Sequence, residues 1–329
     1  MKSILLTGAT GFLGKHLVEK LMRADPESRL RALCRGASPW DHDPRVEVVH
    51  GDITSAGDVQ RAAEGASEIY HLAGIVSRDA KDAPLLYRTH IEGTRNVCEA
   101  ARRHDAAKVV IASTSGVMAV SRDATVHRET GSYKHEVVGE WPYYLSKIFA
   151  EKLALDYFER YQLPVTCVNP SLILGPGDDR NSSTRDVALF LRGQIMAIPE
   201  GGLNFVDVRD VALALIAAMR QGKPGERYLV GGQNWSFGEF LVALAMVSGR
   251  RAPKLRSSVR LSLASAHLLR PLLPLVGKSF ELDDASIKMS ALFWYCDSSK
   301  ARTELGFQAR DPMETLRDTV EDLRQRQVA

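Results

Sequence analysis

The chain has 329 residues, of which 45% are hydrophobic and 25% charged, enough to bury one large core or a main domain with a smaller lobe. Its 43 Lys and Arg against 40 Asp and Glu leave a net charge of +3, with the two signs interleaved along the whole chain. That balance argues against nucleic acid as a partner, which calls for a basic patch or run.

Ser3 to Thr7 reads as a buried strand, and its apolar stretch is too short for a signal peptide. The turn that follows, Thr7-Gly8-Ala9-Thr10-Gly11-Phe12-Leu13-Gly14, sets glycines three apart between this strand and a helix expected over about 11–23. Gly8 permits the tight turn, Gly11 lets a pyrophosphate approach the backbone, and Gly14 lets helix pack on strand. The anion is then held by the free N–H groups of the helix start. A second strand, Leu30 to Cys34, ends without the carboxylate that an NAD site offers to the ribose; Arg35 stands there instead, suited to a 2′-phosphate. NADP(H) is therefore the expected cofactor.

Val46 to His50 is a third strand, followed by Gly51-Asp52-Ile53, where Asp52 either meets the adenine amino group or caps the next turn. A short helix near 59–63 leads to the strand Glu68 to Leu72, which ends in His71-Leu72-Ala73-Gly74, small enough for backbone to lie close to the cofactor. A helix over 88–104 and a strand from Lys108 come next, the strand ending in the hydroxyls of Ser113-Thr114-Ser115. Open α/β sheets bind ligands at that edge, and one hydroxyl there can donate to a substrate oxygen. A long helix from Pro142 to about Tyr161 carries Tyr143, Tyr144 and Lys147 in its first turns. An ammonium one turn away favours phenolate and poises a tyrosine for acid–base work, though spacing alone does not choose between the two tyrosines. Val165 to Asn169 is a further strand.

Strands alternating with helices in this way imply an α/β doubly wound parallel Rossmann sheet. Residues 1–170 are expected to form the dinucleotide-binding domain, with two short pieces near 204–230 returning to its sheet. Residues 171–203 and 231–329 form the substrate-binding lobe, which includes a helix over 237–247 with Ser236 as its cap. The apolar stretch 259–276 is broken by His267, Arg270, Pro271 and Pro274 and reads as a helical part of that lobe, not a membrane anchor. Cys34, Cys98, Cys167 and Cys296 form no CxxC pair and have no histidine at metal spacing, so buried free thiols, a cytoplasmic location and no metal are expected.

Taken together, TGATGFLG (7–14), GDI (51–53), HLAG (71–74), EGTRN (92–96), STSG (113–116), YYLSK (143–147), NPSLILGPG (169–177) and NFVDVRDVA (204–212) resemble the extended, or atypical extended, short-chain dehydrogenase/reductase superfamily over nearly the whole chain. Within it the pattern is most similar to dihydroflavonol-4-reductase-like and sterol-dehydrogenase-like NADP(H) reductases, with a hopanoid-associated sugar-epimerase-like group close by. The resemblance implies that Tyr143 is the proton donor, that Lys147 lowers its pKa and holds the nicotinamide ribose, and that Ser115 is the catalytic serine. It also implies phosphate binding by Arg35 and a nicotinamide loop of Pro170, Ser171 and Leu172. His90 stands where relatives carry Asn. By analogy alone a homodimer is expected, formed through helices of the sheet domain.

The leading expectation is an NADPH-dependent reductase of a small, apolar ketone or aldehyde, or the reverse alcohol dehydrogenase. The alternative is a nucleotide-sugar epimerase or dehydratase that retains its cofactor, for which Arg180, Arg185 and Arg192 offer charge to a diphosphate. A non-catalytic NADP-binding module is disfavoured because the Tyr-Lys pair is present. Substrate contacts are expected in 78–90, 116–142 and 172–204.

Overall fold

The computed structural model describes residues 2–269 and 283–328. Its strands are β1 Ser3–Thr7, β2 Arg29–Cys34, β3 Val46–His50, β4 Glu68–His71, β5 Lys108–Ala112, β6 Val165–Pro170, β7 Leu172–Leu174, β8 Gly202–Asp207, β9 Arg227–Val230, β10 Asn234–Ser236 and β11 Phe293–Trp294. Seven of them form one parallel sheet in the order β3-β2-β1-β4-β5-β6-β9. The strand order reverses between β1 and β4, which is where such sheets open a ligand crevice beyond their C-terminal ends.

Why the centre of β1, Ile4 to Leu6, is a run of apolar residues follows from its place in the sheet. Ile4 and Leu6 point to one face, against Leu17, Val18 and Leu21 of the helix Phe12–Ala24 and Val211 and Leu215 of the helix Val208–Gln221. Leu5 points to the other, against Val97, Cys98 and Ala101 of the helix Gly93–Arg103 and Ala154 and Tyr157 of the helix Pro142–Tyr161. A strand covered on both faces reads as a continuous hydrophobic run. Burying each such side chain contributes about 1.5–3 kcal/mol. All four cysteines are free and buried.

Of the two pieces expected to return to this sheet, only β9 does so, pairing with β6. The strand over 204–207 lies in β8, which pairs with β7, β10 and β11 in a second, small sheet. Two short apolar runs of similar pattern cannot be told apart by periodicity, and tertiary pairing assigns each to its sheet. The small sheet packs on the helices Arg185–Leu191, Phe237–Ser248 and Pro312–Gln325 through Phe190, Phe205, Phe240, Leu244, Leu316 and Val320. Ser236 caps the middle helix in a full capping box with Glu239. Val259–Leu269 is helical, and the rest of the apolar stretch, from 270, lies outside the described residues. Among the described residues no helix is long and apolar enough to cross a membrane.

The loop from β7 into the lobe forms one wall of the crevice and is pinned by a single buried carboxylate. Asp178 accepts hydrogen bonds from Ser182 N and Oγ, Ser183 N, and Thr184 N and Oγ1, at 2.8–3.1 Å. Asp178→Ala strips the acceptor from all five donors and is expected to destabilise the protein by about 2–3 kcal/mol in denaturant unfolding. Asp178→Asn keeps one acceptor oxygen and should cost less. Equal stability of all three proteins would show that the loop is held by other contacts.

Candidate active site

The crevice encloses about 1130 Å³ at the C-terminal edge of the large sheet. Thr10, Gly11, Phe12, Leu13 and Gly14 line its floor, with Gly8, Leu72 and Gly74 beside them. Gly8 has φ +75°, and a Cβ there would stand 2.6 Å from Ala73 N and Leu72 C, so β1 and β4 meet too closely for any side chain. At Gly14 a Cβ would fall 2.1 Å from the Gly8 carbonyl oxygen. At Gly11 it would meet only that same carbonyl, at 3.2 Å, and otherwise fill open crevice. Gly11 also opens the helix with no side-chain cap, leaving the first N–H groups for an anion. Thr7 serves the frame: its hydroxyl bonds His71 Nδ1 at 2.7 Å and accepts from Ala73 N at 3.3 Å.

Arg35 is exposed just beyond β2, and Ala37 and Pro39 after it line the crevice. Burial raises the Asp52 carboxyl, but two 2.8 Å bonds from Thr54 and the nearby Arg35 and Arg88 charges outweigh that and hold it below its ordinary value. Asp52 caps the turn that leads to the next helix, accepting from Thr54 N, and the helix itself is N-capped by Ser55. Ile53 packs against Gly93, and its carbonyl accepts from Asn96 Nδ2 at 3.0 Å.

Tyr143 and Lys147 both line the crevice. Tyr144 instead stacks on Trp294 at 5.0 Å and packs against Trp141 and Gly116, so the structure separates two tyrosines that spacing left equivalent. Burial and then the neighbouring Tyr144 push the Tyr143 phenol well up, while the Thr114 side chain pulls it back. Burial pushes the Lys147 ammonium down to about 8, against the opposite pull of Glu151. Lys147 Nζ donates to the Ala112 carbonyl at 3.0 Å.

The three hydroxyls after β5 part company. Ser113 lines the crevice, and Thr114 is the hydroxyl beside Tyr143. Ser115 is buried at the start of a 3₁₀ turn, outside the crevice lining, its carbonyl capping Met118 and Ala119. Thr114 was legible only as one member of the cluster, because a one-residue choice depends on how the chain turns after the strand. Pro170 lines the crevice, Ser171 is buried beside it, and Leu172 packs toward the lobe.

The helix expected over 88–104 is interrupted by a π turn at Arg88–Glu92, which re-aims His90. His90 Nε2 accepts from Ile75 N at 3.1 Å, so its Nδ1–H donates to Ser146 Oγ at 2.8 Å, and Ser146 in turn donates to the Tyr143 carbonyl. Burial and the Lys147 charge push His90 down to about 2, so it is neutral and acts as a brace between the Ile75 loop and the helix Pro142–Tyr161.

On the substrate side Arg78, the first residue of the 78–90 stretch expected to contact substrate, lines the crevice with its side chain 26% exposed. It forms a bidentate pair with Asp186 at 2.9 and 3.1 Å and bonds Ser286 Oγ at 2.7 Å. Arg185 pairs with Asp283 at 3.0 Å. Arg192 lies away from the crevice, donating to the Val328 carbonyl.

These residues fit a dinucleotide. The glycine floor is a cradle that a Cβ would fill, and the buried hydroxyls of Ser113 and Ser171 have no well-formed hydrogen bond among the described residues. Comparison with known proteins agrees. A Synechocystis sp. protein provisionally named a dihydroflavonol 4-reductase is 34% identical over 325 residues, covering 96% of this chain and 92% of its own length. Sterol demethylase protein B of Methylococcus capsulatus is 32% identical, covering 98% of both. A double mutant of the dTDP-glucose 4,6-dehydratase DesIV of Streptomyces venezuelae, solved with NAD and DAU bound, superposes with a TM-score of 0.77 at 23% identity, over 98% of this chain and 97% of its own. A model of the NAD dependent epimerase/dehydratase family matches residues 4–231. With a Rossmann sheet, a glycine cradle and a Tyr-Lys pair over one crevice, the chain belongs to that family, within the extended short-chain dehydrogenase/reductases, and is an NAD(P)-dependent enzyme of the oxidoreductase type.

Proposed function

We propose that the protein is an NADPH-dependent reductase of a ketone or aldehyde, or runs the reverse alcohol oxidation, on a largely apolar substrate. The observation that carries this reading is the joint placement of Tyr143 and Lys147 on the crevice that the glycine cradle lines, with the Thr114 side chain beside Tyr143. The cofactor, when bound, supplies the hydride. Tyr143 then donates its proton to the developing alkoxide, and the Thr114 hydroxyl orients that oxygen and shares its charge. Lys147 keeps a positive charge close to the phenol, which lowers the energy of the phenolate left behind.

Arg35 supports NADPH over NADH, because an exposed guanidinium at the end of β2 suits a 2′-phosphate and no carboxylate stands there for a free ribose. The wall supports a weakly charged substrate. Ile75, Val76 and Ile173 line it, while Arg78 and Arg185 are already committed to Asp186 and Asp283. A nucleotide-sugar epimerase or dehydratase remains the second reading because Arg180 is exposed on the same wall, and the family includes such enzymes.

Arg35→Ala is expected to weaken NADPH binding about 10- to 100-fold and leave NADH nearly unchanged, measured by nicotinamide fluorescence titration. Tyr143→Phe should lower kcat for carbonyl reduction by at least about 100-fold with cofactor affinity retained. Reduction needs the Lys147 ammonium, so its rate is expected to hold below about pH 8 and fall above it as that proton is lost. Tight NAD that co-purifies with the protein, with no carbonyl in a ketone and aldehyde panel consumed, would favour the second reading.

A further inference from the structure

Behind Lys147 lies a polar network that the proposed chemistry does not use. Lys147, Ala112 and Ser113 line the crevice and also a small cavity beside it of about 10 Å³, the size of a single water. His71, His90, Thr94 and Glu151 are the other polar residues that line that cavity. Glu151 stands one helical turn after Lys147 and is 1% exposed. A carboxylate so deep in the protein costs free energy unless it is hydrogen-bonded or paired.

Its partners come from every element around it. Asn169 Nδ2, on β6, donates to Oε2 at 2.6 Å, and the Tyr133 hydroxyl donates to Oε1 at 3.1 Å. Arg227 Nη1, at the start of β9, lies 3.8 Å from Oε1. The Ser113 hydroxyl faces the same carboxylate without closing a well-formed hydrogen bond, and the Cys167 thiol is close by. His71 and His90 across the small cavity are both neutral, so Lys147 is the charged group on that side. Tyr133 and Arg227 in turn line a second cleft, of about 930 Å³, that shares no residue with the crevice. The Arg227 guanidinium also lies 5.1 Å over the Tyr133 ring.

Burial pushes the Glu151 carboxyl above its ordinary value, and Ser113, Asn169, Arg227 and Tyr133 pull it back. We propose that Glu151, braced from the far side by Tyr133, Asn169 and Arg227, is the positioning residue that keeps Lys147 an ammonium across the small cavity. This rests on reading Tyr143 and Lys147 as the acid–base pair. The geometry makes the far cleft part of the active site's electrostatics: donors anchored there set the charge on Glu151, and Glu151 sets the charge on Lys147. Burial disfavours both ions singly, and each relieves that penalty for the other.

The test follows the titration of Lys147 itself in the full-length protein, using NMR of 13Cε-lysine and assigning the signal by its loss in Lys147→Arg. Glu151→Gln is expected to lower the Lys147 midpoint by about one pH unit, and the alkaline limb of carbonyl reduction should move down with it. Tyr133→Phe, which removes one donor and no charge, should lower the midpoint in the same direction by less. Glu151→Asp should restore part of the shift. An unmoved midpoint in folded Glu151→Gln overturns the proposal. If that variant fails to fold, an unmoved midpoint in Tyr133→Phe does so. A parent protein that titrates as expected but reduces no carbonyl sinks the reductase reading and leaves the role of Glu151 standing.

Discussion

Holding the Lys147 ammonium out of bulk water is the constraint around which the centre of this molecule is arranged. A buried cation tends to shed its proton, and Lys147 accordingly sits near 8, low enough to respond to its surroundings and high enough to stay charged at neutral pH. The Ala112 carbonyl at the end of β5 takes one of its donors, which ties the catalytic helix to the edge of the sheet. The two nearby histidines offer hydrogen bonds and no competing charge. Their neutrality follows from the same burial that lowers the lysine, aided by the lysine's own field.

The two halves of the crevice are built on different principles. The cofactor side is backbone held at close quarters, where Gly8 and Gly14 let β1, β4 and the first helix approach within distances that a Cβ would forbid. Its geometry is set by the sheet, which is buried on both faces and therefore stiff. The substrate side is a wall of loops, fixed by the Asp178 hydrogen bonds and by ion pairs such as Arg78 with Asp186. Such a wall can change composition without disturbing the sheet, which is how one family accommodates many substrates.

That division also explains what could be read in advance. The glycine turn and the placing of Tyr143 and Lys147 on the crevice were legible because each depends on local spacing at the end of a strand or within one turn of a helix. Choosing Tyr143 over Tyr144 by spacing was not possible: the two lie on overlapping faces of the helix, and only the packing of Tyr144 on Trp294 removes it from the crevice. Thr114 and Ser115 differ by one position in a turn whose path the strand does not dictate. Arg78, Asp186 and Ser286 are far apart in the chain, and nothing local announces their meeting.

By itself the sequence determined the class of fold, the glycine turn and the placing of Tyr143 and Lys147 within one turn of a helix. Hydrophobic runs, glycine spacing and helical periodicity act over a few residues and constrain the backbone directly. The tertiary structure alone decided that β8 leaves the large sheet for a small one, that a π turn aims His90 at Ser146, and that Glu151 and Lys147 line one small cavity while Tyr133 and Arg227 beside Glu151 line a second cleft. Those outcomes depend on which distant surfaces pack together and on what burial then does to a charge. Neither is encoded in the spacing of neighbouring residues.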